Sequence, residues 1–171
     1  MKSLFLVLVF MVTCFATEVE IKGLKIGITK DDISKIYQIK KFPLKDKLNR
    51  DKYYLSGDMI TIADSKIFDM ELFFVDDKVD YINITLYSSS FDKVLDAIKG
   101  KYNNVKCTNY EIKNKLGNSF TQTECQVNDG KSYLFIKRFF ELNMDRSVLE
   151  IKSNNIMQEE QKNINSYKKD I

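Results

Sequence analysis

Cys107 and Cys125, with the adjacent carboxylate pairs Asp31/Asp32 and Asp76/Asp77, are the residues of this chain whose types and spacing bear most directly on chemistry. The two cysteines lack the CxxC spacing of a redox pair, and they flank a turn signal at Lys115-Leu116-Gly117. A hairpin with its tip there sets position 107 opposite position 125, and opposed cysteines on paired strands lie within bridging range. They read as a structural disulfide. Adjacent carboxylates suit acid–base work or calcium binding, but no EF-hand spacing accompanies either pair. One pair falls at a helix start and the other in a hairpin turn, so both read as capping and turn-forming residues. No metal site and no cofactor is expected.

The chain contains no histidine. That excludes Ser-His-Asp and Cys-His nucleophilic systems and any His-containing zinc site. It also removes the side chain that titrates near neutral pH. The remaining Tyr, Lys, Asp and Glu residues form no recognisable catalytic constellation, so a non-enzymatic protein is expected. Asn83-Ile84-Thr85 matches a glycosylation sequon but lies in the middle of a strand, and is read as chance. Aromatic residues give the surface signal. Phe73, Tyr81 and Tyr87 fall on the strand face opposite the aliphatic residues, and Tyr53, Tyr54, Phe139 and Phe140 add to the supply. Such a face serves protein recognition, because large rigid rings bury area at low entropic cost. The other reading is a second small core covered by the long loop or the C-terminal tail.

The elements that must position these residues alternate between sheet and helix. Glu18 to Ile26 alternates as an opening strand that Gly27 breaks. Thr29-Lys30-Asp31-Asp32 then caps a helix over roughly residues 30–39. Pro43 through Lys52 forms a loop, and Phe68, Met70, Leu72 and Phe74 alternate as a half-buried strand. Ile82, Ile84 and Leu86 form its partner. Keeping both aliphatic rows on one face requires Leu72 opposite Ile82 and Met70 opposite Ile84, which predicts a three-residue loop, Asp76-Asp77-Lys78. A second capping pattern, Ser89 to Asp92, opens an amphipathic helix over 90–102 whose stripe is Phe91, Val94, Leu95, Ile98 and Tyr102. The cysteine hairpin follows, then a turn at Asp129-Gly130 that predicts Leu134 opposite Cys125. Val105, Cys107, Cys125, Val127, Leu134 and Ile136 then share one face. A last strand over 147–152 leads into the tail. The expected fold class is α+β: a two-layer domain in which two short helices pack on antiparallel meanders, in a tandem helix-plus-meander arrangement.

Lys2 followed by the apolar run Leu4 to Val12 and then by Thr13, Cys14, Phe15 and Ala16 has the layout of a secretory signal peptide, and the run is too short to span a bilayer. Three segments follow: 1–16 as signal peptide, 17–153 as one domain and 154–171 as a polar C-terminal tail. Cleavage after Ala16 leaves 155 of the 171 residues, with 26 basic and 24 acidic side chains. This balance offers no case for nucleic acid. Cys14 ends the apolar run, as a lipidated cysteine does in bacteria, but Met11, Val12 and Thr13 before it fit poorly, and cleavage at Ala16 is preferred.

The stretch Ile21 to Ile33, through Gly27, Thr29, Asp31 and Asp32, resembles the opening of the BamE (SmpA/OmlA) outer-membrane assembly proteins, in which a strand enters a turn and an acidic helix start. The helix-plus-meander unit, used twice, is similar to the fold of beta-lactamase inhibitor proteins. The resemblance covers about residues 19–37, and no Leu-Gly-x-Pro follows the first helix. With the signal-peptide layout, the absent histidine and the stapled sheet, it implies an exported, periplasmic protein acting on another exported or envelope protein as an assembly accessory, inhibitor or immunity factor. The alternative expectation is a carrier holding a small apolar ligand between sheet and helices.

Overall fold

The computed structural model describes residues 17–55, 60–113, 117–141 and 144–169. The signal segment 1–16 with Cys14, Lys115 and Leu116 of the expected hairpin tip, and the last two residues of the tail lie outside them.

Nine strands form one antiparallel sheet: β1 (Ile39–Lys41), β2 (Asp51–Leu55), β3 (Thr61–Ile62), β4 (Ser65–Val75), β5 (Lys78–Leu86), β6 (Lys106–Lys113), β7 (Ser119–Asn128), β8 (Ser132–Glu141) and β9 (Met144–Ser153). Their order is β1-β2-β4-β5-β9-β8-β7-β6, with β3 pairing β4 off this path. The helices are α1 (Lys30–Ser34), α2 (Phe91–Lys101) and α3 (Asn154–Lys169). The expected α+β fold, with two helices on separate meanders, is not what forms. Among the described residues a single sheet dominates, with strand well in excess of helix. The reason lies in the junction of its halves. Ile82 of β5 pairs with Ile151 of β9, and Ile84 with Leu149. All four side chains are fully buried, so matching aliphatic rows join the two meanders edge to edge.

The β4–β5 register is the one the aliphatic rows demand, Leu72 opposite Ile82 and Met70 opposite Ile84. It is reached differently from expectation. Val75 pairs with Lys78 across a two-residue turn, in which Asp76 and Asp77 both adopt positive φ (48° and 58°). That backbone is the hairpin-favouring primed turn, and Asp tolerates it better than most residues. A bulge between Phe73 and Phe74 then takes up one extra residue of β5, restoring the alignment of the rows. In the β7–β8 hairpin Leu134 faces Val127, while Cys125 faces Ile136. The pairing is displaced by two residues from the expected one, and an even displacement leaves every side chain on its original face.

One sheet face carries the main core. Met70, Leu72, Phe74, Ile82, Ile84, Leu134, Ile136, Leu149 and Ile151 pack there with Phe91, Val94, Leu95, Ile98 and Tyr102 of α2. Those five residues are the predicted stripe. The Ser89-to-Asp92 pattern opens as a single 3-10 turn, Ser88–Ser90, with no side-chain cap. In α1, Thr29 caps as its spacing predicts, accepting from the Asp32 amide. The helix stops at Ser34, however, and residues 39–41 enter the sheet instead. The opening strand over 18–26 does not form. Lys22 and Gly23 turn with positive φ, and Ile21 and Leu24 exchange two hydrogen bonds of 2.9 Å across them. Val19 and Leu24 are nonetheless fully buried, so this segment caps the core as a folded plug.

Candidate functional site

The reverse face of the sheet carries aromatic and charged residues in place of aliphatic ones. Phe73 and Tyr81 are directly paired there, with rings stacked at 4.9 Å. The Arg50 guanidinium lies 4.8 Å from the Phe73 ring and 5.3 Å from that of Tyr81, and Lys152 sits 5.6 Å from Tyr81. Arg50 is placed by Asp46, four residues earlier, at 2.6 Å. The C-terminal segment, read as a polar tail, is helical over Asn154–Lys169. Its first turn buries Ile156, and Glu160 reaches Lys152 at 2.7 Å. Long loop and C-terminal helix thus contribute to a second, cation-rich core. Phe73 is only 7% exposed. It is not part of an open binding face, and Tyr81 is half-covered beside it. The aromatic alternation was visible in sequence, but the cover comes from residues distant along the chain.

Glu150 is the polar centre of this layer. It accepts from the Tyr81 hydroxyl at 2.5 Å and pairs with Lys137 at 2.9 Å and Lys152 at 3.5 Å. Burial acts to raise the Glu150 pKa, but Lys152, Lys137 and the Tyr81 hydroxyl outweigh it and hold the carboxyl below its ordinary range. Burial, reinforced by the Glu150 charge, pushes the Tyr81 hydroxyl well above its ordinary value, so it stays protonated as a donor. Glu150 is thus ion-paired on both sides, though its Oε2 makes no well-formed hydrogen bond, and the arrangement is that of a charge network bracing the sheet.

Tyr87, the third aromatic of the expected face, is open. It is 47% exposed and meets the 69% exposed Phe68 edge to face at 5.8 Å. Phe68 occupies the register irregularity between Ile67 and Asp69, which takes it out of the ladder. Beyond Tyr87 the Ser88 hydroxyl donates to the Asp145 carbonyl at 2.5 Å. Here β5 has ended, at Leu86 opposite Ser147, while β9 and β8 continue through Arg146–Phe139 and Asp145–Phe140. The overhang and the start of α2 enclose an open groove of about 340 Å³. Phe120 and Phe140 stack at 4.0 Å along it. Arg138 crosses it, with its Nη2 2.7 Å from Asp145, its Nη1 3.8 Å from Asp92 and its guanidinium 5.9 Å from the Phe91 ring. The hydrogen bonds that Arg138 donates to Asp145 raise its pKa above the ordinary value. The groove therefore offers aromatic walls and a fixed, delocalised cation.

No family model, curated protein or solved structure matches this chain.

The remaining predicted residues have structural places. Cys107 and Cys125 are directly paired and disulfide-bonded, tying edge strand β6 to β7. Asp32 lies in the first turn of α1, where its carboxylate accepts from the Thr29 hydroxyl at 2.8 Å and pairs with Lys35 at 2.7 Å, and Asp77 forms the β4–β5 turn and pairs with Lys30 at 3.2 Å. Among the described residues no cluster of His, Cys, Asp or Glu is arranged to hold a metal ion. Asn83 lies within β5 and donates to Glu71 at 3.2 Å. Sequence reasoning missed Phe68, Phe120 and Arg138. Phe120 and Arg138 come together only through the pairing of β7 with β8, and the one available signal was the concentration of Phe139 and Phe140 at a strand end.

Proposed function

We propose that this chain is an exported, non-catalytic protein-binding module, and that it holds an envelope or exported protein through Phe68, Tyr87 and the adjoining Arg138 groove. The observation carrying this reading is the Phe68–Tyr87 pair. Two large rings packed on each other in solvent, beside an aromatic groove, have the composition of an interface centre, where Tyr, Phe and Arg are enriched. The signal-like layout of residues 1–16 and the Cys107–Cys125 disulfide support an oxidising, extracytoplasmic setting. The absence of histidine and the pairing of Glu150 with Tyr81, Lys137 and Lys152 support a binding role over a catalytic one. The cleft between α2 and the sheet measures about 150 Å³. This is smaller than the roughly 300–1,000 Å³ pockets that take small ligands, so the carrier reading gains no support from it.

The test is a photo-crosslinking residue placed at Phe68 in the full-length chain, expressed in its native host. A discrete protein adduct that disappears when Tyr87→Ser is added supports the reading. Absence of any adduct from Phe68 and Tyr87 alike, with the protein folded and exported, rejects it.

A further inference from the structure

The loop between β1 and β2 exposes apolar side chains although it is held in one conformation. Asp46 is its staple: the carboxylate accepts from the Leu48 amide at 3.0 Å, the Arg50 amide at 2.8 Å and the Arg50 Nε at 2.7 Å. The Asn49 amide closes a further turn on the Asp46 carbonyl, with Asn49 at φ 61°. Burial opposes ionisation of Asp46, yet the hydrogen bonds and charge of Arg50 keep its pKa below the ordinary value, so the staple is charged. Leu44, 69% exposed, and Leu48, 44% exposed, project from this ordered loop, with Phe42 at its root leaning on Tyr54. Hydrophobic collapse does not account for two leucines held outward.

The charges around them share one sign. Lys40, Lys41, Lys45 and Lys47 surround the leucines, and Asp46, the one carboxylate in the stretch, is consumed by Arg50. Lys41 pairs with Asp51 at 3.0 Å. Lys40, Lys45 and Lys47 pair with no carboxylate among the described residues. We infer that this loop is a docking surface for an anionic lipid bilayer, with Leu44 and Leu48 entering the interfacial region and Lys40, Lys45 and Lys47 contacting lipid phosphates. A bilayer matches both halves of the pattern, negative charge at the surface and apolar depth immediately beneath it. Prior ordering by Asp46 removes the entropic cost of arranging the loop at the moment of contact. The inference is independent of the Phe68–Tyr87 groove.

The chain contains no tryptophan, so Leu44→Trp places a single reporter in the loop of the full-length protein. The reporter reads this loop separately from the apolar N-terminal run, which all variants share. With phosphatidylcholine vesicles containing phosphatidylglycerol, its emission should shift to the blue and be quenched by brominated acyl chains. Replacing phosphatidylglycerol by phosphatidylcholine, or raising the salt, should abolish the shift. Each of Lys45→Glu and Lys47→Glu should weaken vesicle partitioning at least about fivefold, on the scale expected for one surface lysine. Leu48→Ser should weaken it without changing the salt dependence. A reporter that stays water-exposed on anionic vesicles, or partitioning that both charge reversals leave unchanged, overturns the inference. Capture of a soluble protein by this loop, with no vesicle response, does so as well.

Discussion

Phe73 and Tyr81 face each other across β4 and β5 with their rings inclined by 26°, and Arg50 lies over both. The pair is the centre of a second core on the sheet face that would otherwise be wet. Guanidinium stacking of this kind strengthens as water is excluded. The loop that exposes Leu44 and Leu48 on its outer side therefore stabilises the sheet with its inner side.

Phe73→Ser should destabilise the fold by about 3 kcal/mol, as large-to-small changes at buried aromatic positions do. Phe68→Ser, at an exposed position, should change stability by less than about 0.5 kcal/mol. Urea unfolding of the two variants checks this. Equal and small effects would mean that the reverse face is open.

Glu150→Gln should reshape the acid limb of the stability curve. The folded-state pKa of Glu150 lies below its ordinary 4.5. Its contribution is thus complete above that value and is lost as pH falls through the folded pKa. The variant should be flatter below about pH 5, and near neutrality less stable by about 3 kcal/mol, because Lys152 and Lys137 are left without their shared partner. Urea midpoints measured from pH 3 to pH 8 in both proteins test it, with parallel acid limbs as the contrary result.

Reduction of the Cys107–Cys125 bridge should lower stability by about 2–4 kcal/mol without unfolding the protein. The bridge secures β6, an outermost strand that is exposed along all but Ile112. Hydrogen exchange should accelerate in β6 first, with the β5–β9 amides still protected. Loss of protection throughout the sheet at once would refute this order.

Asp129→Ala should release the N-terminal plug. The carboxylate accepts from the Val19 amide at 2.7 Å and from the Lys131 and Ser132 amides at 2.8 Å each. Burial pushes the Asp129 pKa upward, but these bonds prevail and keep it low. With several charge-assisted bonds removed, a cost of about 3 kcal/mol is expected. Faster exchange at Val19 and Glu20 is the specific readout, and unchanged exchange there would assign Asp129 to its turn alone.

Local pattern made much of the fold legible. The α2 stripe, the Thr29 cap, the opposition of Cys107 and Cys125 and the alignment of Leu72 with Ile82 all follow from periodicity and turn chemistry. Two features did not. The pairing of β5 with β9 joins residues more than sixty positions apart, and nothing in either segment names the other. The cover over Phe73 and Tyr81 also arrives from a distance, since Arg50 reads as a loop cation and Lys152 as the end of a strand. The open pair Phe68–Tyr87 is half legible: Tyr87 falls on the aromatic face, but Phe68 reads as part of the buried alternation that the β4 irregularity removes it from.

The position of β9 has a consequence for biogenesis. Among the described residues it is the last strand in chain order, yet it lies fourth from one end and fifth from the other in the main strand path. A chain emerging N-terminus first can fold β1 to β5 and the β6–β8 hairpins, but it holds two raw edges, at β5 and β8, until residues 144–153 appear. Chains interrupted before that point carry two unpaired apolar borders and should aggregate, while completion seals both borders in one step. Loss of residues 144–153 should therefore cost far more solubility than the length of that segment alone suggests.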